Sequence, residues 1–330
     1  MPSEPRRDFL TTWYLPGRES WTARCEMLDR GSMSRGALLR RLVSGAAGRR
    51  ALILDGSVGP SDLYVDLLAA IAIRRRPATA DTPIVVGECQ WKLGGSRIDR
   101  LTTRLGLRAL DGPRVAYCVL SEWERQRFAD TWGVDPERVF VTPYCHTLSD
   151  ADLAAPTSTG GGVFAGGNSL RDYGPLVAAA GELDAPVTLA TELLDGPLPT
   201  NVTAGPVPYE RFFELLRDAS VVVVPLADRD DRTAGQQTYL NAMALGKPTI
   251  VTDSPGVREY VEDGRTGLVV PPDDADAMRN ALRWALDPDN ADAIMRMTAA
   301  ATEAARTTFS PDSYAQSLLD VADAISPCVR

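Results

Sequence analysis

The chain reads as short, unbroken apolar runs separated by amphipathic stretches. ALILD (51–55), PIVVG (83–87), VAYCVL (115–120) and VFVTP (139–143) form one series. GGVFAG (161–166), PVTLAT (186–191), SVVVVPL (220–226), PTIVT (248–252) and GLVV (267–270) form a second. Apolar runs without polar alternation suit parallel strands covered on both faces. Between them, 61–76, 121–132, 172–182, 209–219 and 236–245 read as helices, and further helices fill about 274–325. In YERFFELLRDA, for example, Phe212, Leu215, Leu216 and Ala219 share one face. The stretch TLSDADLAAPTSTGGG (147–162) is rich in small residues, Pro and Gly and reads as a linker. Strand–helix alternation on either side predicts an α/β protein of two Rossmann-like domains, each a doubly wound parallel sheet, over 1–150 and 151–310. A C-terminal helix over about 311–330 is placed to pack back on the first domain. Two such domains are expected to face a cleft, with ligands at the strand C-termini.

Charge divides unevenly over this frame. The net charge is −9, yet residues 1–150 carry 22 Lys/Arg against 18 Asp/Glu, and residues 151–330 carry 13 against 26. An acidic whole disfavours nucleic acid as a partner. The basic pieces LLRRLVSGAAGRR and IRRRP are read as arginines closing helix C-termini. The same pieces could touch an anionic surface or acceptor, so a peripheral membrane contact is open but not expected. Five scattered cysteines without a Cys-x-x-Cys pair argue against a disulfide framework and structural zinc. No run resembles a signal peptide or reaches membrane-spanning length, so a cytoplasmic protein is expected.

The chemistry concentrates after residue 220. There SVVVVPL is followed by a polar loop, Gly235, and the helical QQTYLNAMAL. Glycine permits the tight turn, and the N–H groups of Gln236, Gln237 and Thr238 then point at the loop, an arrangement suited to an anion such as a diphosphate. The wider stretch NAMALGKPTIVTDSPGVREYVEDGRTGLVVPPDD (241–274) resembles the C-terminal signature of glycosyltransferases of the two-domain B fold, in the retaining group numbered family four. Its matching pieces are Asn241–Pro248, Gly256–Glu259 and Asp263–Gly267, with GPVPYERFFELLRDASVVVVPL before them and CVLSEWERQRFADTWGVDPERVFVTPYCH (118–146) at the end of the first domain. The resemblance covers most of residues 83–287 and is most specific in its second half.

That resemblance implies a nucleoside-diphosphate-sugar donor, an acceptor hydroxyl on a small molecule or glycan, retention of anomeric configuration, and no metal or other cofactor. Its two hallmark glutamates fall at Thr233, towards the donor sugar, and Asn241, towards the ribose. The amide of Asn241 can still hydrogen-bond a ribose, and a Thr233 hydroxyl can reach a sugar without bringing charge. The cationic pair that the family sets at the second domain's first strand is missing in VFAGGNSLRDYGPL, where Gly167 and Asp172 occupy those places. Arg171 is the replacement cation expected there, with Arg229 and Arg232 behind it. Gly166 and Gly167 let the backbone approach the phosphates, and Asn168 adds an amide. On the acceptor side, the family's functional histidine corresponds to GECQW (87–91), so Glu88 is expected to orient or deprotonate the acceptor, with Asp55 and Ser57 beside it. The single histidine, His146, is expected at the end of the first domain's last strand, facing the cleft. The favoured reading is thus a hexosyltransferase. A sugar-nucleotide-binding homologue of weak or no activity is the alternative, because the glutamates and the cationic pair are lost. An epimerase or hydrolase on the same fold is a third reading. NAD is disfavoured, since no G-x-G-x-x-G follows a strand.

Overall fold

A computed structural model describes residues 7–13, 15, 17–57, 64–91, 97–228 and 232–326. Among them, two all-parallel six-stranded sheets form. The first contains β1 (Phe9–Thr11), β2 (Cys25–Met27), β3 (Ala51–Asp55), β4 (Ile84–Gly87), β5 (Val115–Val119) and β6 (Val139–Val141), in the order β2-β1-β3-β4-β5-β6. The second contains β7 (Val163–Gly166), β8 (Val187–Ala190), β9 (Val202–Gly205), β10 (Val221–Val224), β11 (Thr249–Thr252) and β12 (Leu268–Val270), in the order β12-β11-β10-β7-β8-β9. Both are doubly wound α/β sheets of the Rossmann-like kind. The chain divides into two compact units, Met1–Pro143 with Asp312–Arg330, and Tyr144–Pro311.

The central strands are buried, β4, β5 and β10 along their whole length and β3 up to Asp55, because helices cover both faces. In each sheet the strand order reverses once. The reversal lies between β1 and β3 in the first unit, and between β7 and β10 in the second. At such a point successive connections leave in opposite directions, so a crevice opens at the strand C-termini. Both clusters of polar residues described below lie beside these reversals.

Three strands and three helices depart from the sequence reading, the helices being Glu19–Arg24, Arg97–Leu110 and Asp150–Ala154, the last within the expected linker. β1, β2 and β9 are too short or too polar to register as apolar runs; β2 is Cys-Glu-Met and β9 ends in Gly205. The helix Arg97–Leu110 has apolar residues on two faces, so no single stripe marks it. The C-terminal helix Pro311–Ile325 buries Tyr314, Leu318 and Leu319. Asp323 is held by a bidentate pair with Arg24 at 2.8 and 2.9 Å, and by Arg50 at 2.9 Å. The basic stretch before β3 is largely spent on structure: Arg49 donates to the carbonyl of Gly45 at its helix end and pairs with Glu26, which also takes Arg41.

Candidate functional site

In the second unit, β7 delivers Gly166 and Gly167 to the strand reversal. Gly167 has φ +111°, so the backbone shape favours glycine, and a Cβ there would lie 3.2 Å from the Arg171 guanidinium. Gly166 is equally confined: a Cβ would meet the Phe212 ring at 2.3 Å. The chain then turns so that Arg171 folds back over the loop. Its guanidinium donates to the carbonyls of Gly166 at 3.3 Å and Ser169 at 2.8 Å, and to the Thr238 hydroxyl at 3.4 Å. Arg171 thus spans from the end of β7 to the first turn of the helix Gln236–Ala244. Among the described residues no carboxylate pairs with it. Burial lowers its pKa, and the nearby Arg232 adds repulsion. A desolvated, unneutralised cation of this kind favours an anion beside it.

The helix Gln236–Ala244 starts at Gly235, whose φ of +84° is left-handed. A Cβ at Gly235 would come within 2.9 Å of Val224, so β10 and the turn pack tightly. The N–H of Thr238 is already bonded to the Gly235 carbonyl at 2.9 Å. That corrects the expected set of three amides: Gln236 and Gln237 carry the N–H groups left at the helix start. Asn168 is exposed, and its side-chain oxygen accepts from the Thr191 hydroxyl and the Glu192 N–H, leaving its amide nitrogen to donate. Arg232 donates to the Ser169 hydroxyl, while Arg229 lies outside the described residues. Asp172, at the place of the family's lysine, accepts from the Gly174 N–H and serves the turn.

The positions of the two lost glutamates are occupied differently from expectation. Thr233 is 1 % exposed and accepts from the Gln236 amide at 2.5 Å. Asn241 is 2 % exposed, and its amide is engaged at both ends: its oxygen accepts from the Thr147 N–H at 2.8 Å, and its nitrogen donates to the Thr147 hydroxyl at 3.0 Å. Gln237 donates to the same hydroxyl at 3.2 Å. Asn241 therefore ties the segment entering the second unit to the helix, rather than standing open to a ribose. Nothing local in the sequence pointed to Thr147, which lies far from Asn241 along the chain. Lys247 of the Gly-Lys-Pro motif is likewise structural: it is 2 % exposed and its ammonium donates to the carbonyls of Ser158 and Ala219.

His146 also departs from expectation. It belongs to the second unit, beyond the end of β6 at Val141, and is 3 % exposed, with its N–H bonded to the Phe309 carbonyl. A ring so enclosed is packed rather than presented to a substrate.

In the first unit, the C-termini of β1, β3 and β4 bring a second polar group together. Asp55, at the end of β3, accepts from Arg30 at 2.7 Å, from the Tyr64 hydroxyl at 2.7 Å and from the Ser57 N–H at 2.8 Å. Arg30 also reaches the fully buried Asp66 at 2.6 Å, which takes the Thr12 hydroxyl as well. Burial pushes the Asp66 pKa up in spite of Arg30. Ser57 itself is exposed. Glu88, just past β4, is a non-glycine residue at φ +52°, a conformation that costs energy and is kept only where the surroundings impose it. Burial, with a lesser contribution from the Asp55 charge, raises its pKa to about 8. At neutral pH its carboxyl is mostly protonated and able to donate a hydrogen bond, which corrects the expectation of a base ready at pH 7. Arg30, Tyr64 and Asp66 join this group only through tertiary structure.

Two parallel doubly wound units are the architecture of the B fold found among glycosyltransferases. Residues 177–288 match the family described as "Glycosyl transferases group 1", which bears out the resemblance in the segment that carries most of it. The HepE protein of Anabaena, solved with UDP, is similar at 15 % identity over 96 % of this chain and 99 % of that one, with a TM-score of 0.63. A glycosyltransferase from Rickettsia africae is 12 % identical over 93 % and 86 %, with a TM-score of 0.62. Sucrose-phosphate synthase from Thermosynechococcus elongatus is 17 % identical over 92 % and 83 %, with a TM-score of 0.58. At these identities the likeness is one of fold. No curated protein sequence matches the chain. The family match and the fold together support a transferase enzyme.

Proposed function

We propose that the chain transfers a hexosyl group from a nucleoside-diphosphate donor to an acceptor hydroxyl, with retention and without a metal ion. The observation that carries this reading is Arg171, a desolvated guanidinium without a carboxylate partner among the described residues, held against the start of a glycine-led helix. A diphosphate is the ligand suited to that chemistry, since helix N–H groups and a planar cation both favour phosphate oxygens. As the sugar–phosphate bond breaks, charge grows on the leaving diphosphate, and Arg171 stands where a divalent cation would otherwise neutralise it. The family match over 177–288 and the UDP and UDP-glucose complexes of the Anabaena HepE protein support a nucleotide sugar as donor. On the acceptor side, protonated Glu88 holds the acceptor hydroxyl by donating to it, and Asp55 and Ser57 supply the polar surroundings.

The test is calorimetric titration of UDP and UDP-glucose into the wild type and into Arg171→Ala. Losing a charged hydrogen-bond donor is expected to weaken binding by about tenfold or more, with Arg171→Lys in between. Equal affinity in Arg171→Ala would overturn the assignment. Transfer that persists in a chelator, and a product whose anomeric proton keeps the donor's configuration, are the expected marks of the mechanism. The enclosure of Thr233 and Asn241 favours one second reading, a homologue that binds the nucleotide sugar without transferring it. Donor binding with no turnover across a donor and acceptor panel would establish that reading instead.

A further inference from the structure

We propose that the helix Arg97–Leu110 is a peripheral membrane contact that lies along an anionic lipid surface. It packs on the first unit through Thr103, Leu107 and Leu110, which are nearly inaccessible. At 3.6 residues per turn, Ile98, Leu101 and Leu105 fall on roughly the opposite side. They are 73 %, 58 % and 54 % exposed. The other large exposed apolar residues, Leu193, Tyr209 and Met295, lie on separate elements, so this row is the one place among the described residues where three such side chains share a helix face. Water-facing apolar residues in a continuous row mark a surface that something covers.

What covers it is indicated by the residues beside the row. Arg97, Arg104 and Arg108 are exposed and border it on one side, between the outer apolar row and the buried face. Among the described residues none of the three forms an ion pair. A helix with an apolar row bordered by arginines seats its apolar side chains at the headgroup–acyl boundary and its guanidiniums among lipid phosphates. An anionic bilayer offers phosphates to the arginines and an acyl boundary to the apolar row, and so matches both features. The long arginine stems also let the charged heads reach the phosphates while the row sinks deeper. A membrane contact was not expected from the basic pieces at 39–50 and 73–77; this helix lies apart from them in sequence, and its local pattern decides, because charges beyond about 10 Å are screened at physiological salt.

The full chain should float with vesicles of phosphatidylcholine and phosphatidylglycerol in equal parts, and remain in solution with phosphatidylcholine alone. Ile98→Ser, Leu101→Ser and Leu105→Ser together change exposed positions only and should lower vesicle binding at least tenfold. Arg97→Gln, Arg104→Gln and Arg108→Gln should each lower it about fivefold and reduce its salt sensitivity. UDP affinity, measured alongside by calorimetry, should stay unchanged, which separates this surface from the donor site. The proposal is overturned if the wild type ignores anionic vesicles, or if the triple Ser variant binds them as the wild type does. It is also overturned if the wild type dimerises in sedimentation velocity without vesicles and the triple Ser variant does not, for then a second copy covers the row.

Discussion

Replacing Glu88 by Gln should flatten part of the pH dependence of stability. The carboxyl of the partly buried Glu88 moves from an ordinary 4.5 to about 8, first through desolvation and second because the Asp55 charge lies near. The folded protein therefore holds a proton that the unfolded chain has released, throughout the window between those two values. Where the native state binds more protons, stability falls as pH rises. The contribution is complete below pH 4.5, declines by up to about 1.4 kcal/mol per pH unit, and is gone above about 8. Over the whole window the wild type should lose on the order of 5 kcal/mol relative to Glu88→Gln, which keeps the shape and cannot ionise. Urea unfolding of both proteins from pH 5 to 8.5 reads this directly. Other ionisations are common to both and cancel in the difference between the two curves. A difference that stays within about 1 kcal/mol across that range would show that Glu88 ionises normally, and the assignment of a neutral donor on the acceptor side would fall with it.

Two further substitutions test the structural reading of the signature motif. Asn241→Ala strands the Thr147 N–H and hydroxyl and should cost about 1–3 kcal/mol in urea unfolding, whereas a residue open to a ligand would cost little. If Asn241→Ala is as stable as the wild type but loses UDP affinity, the ribose contact inferred from the family is right and the Thr147 tie is incidental. Lys247→Met removes the ammonium that holds the carbonyls of Ser158 and Ala219, and should destabilise by about 1–3 kcal/mol while leaving UDP affinity unchanged. A loss of affinity without a loss of stability would return Lys247 to the binding site.

The apolar runs were legible because burial on both faces of a parallel sheet removes polar residues from central strands. β3, β4, β5, β6, β7, β8, β10, β11 and β12 were all read from such runs. β1, β2 and β9 left no apolar run: β1 is three residues flanked by Asp8 and Thr12, β2 is Cys-Glu-Met, and β9 ends in Gly205. The anion cradle was half legible: the requirement for glycine at 167 and 235 follows from local backbone geometry, and Arg171 is the cation next to it in sequence. The state of its partners was not. Whether Asn241 faces a ligand or Thr147 depends on where residues distant in sequence come to rest, and a side chain's type says nothing about which of several possible hydrogen bonds it makes. Glu88 illustrates the same division. Its position after an apolar run placed it at a strand end. Only the fold, by burying it beside Asp55 in a left-handed conformation, decided that its carboxyl stays neutral. Sequence alone thus determined most of the elements, because those depend on periodicity and local backbone freedom. Protonation, exposure and pairing were left to tertiary structure, because they are set by neighbours that the chain brings together only on folding.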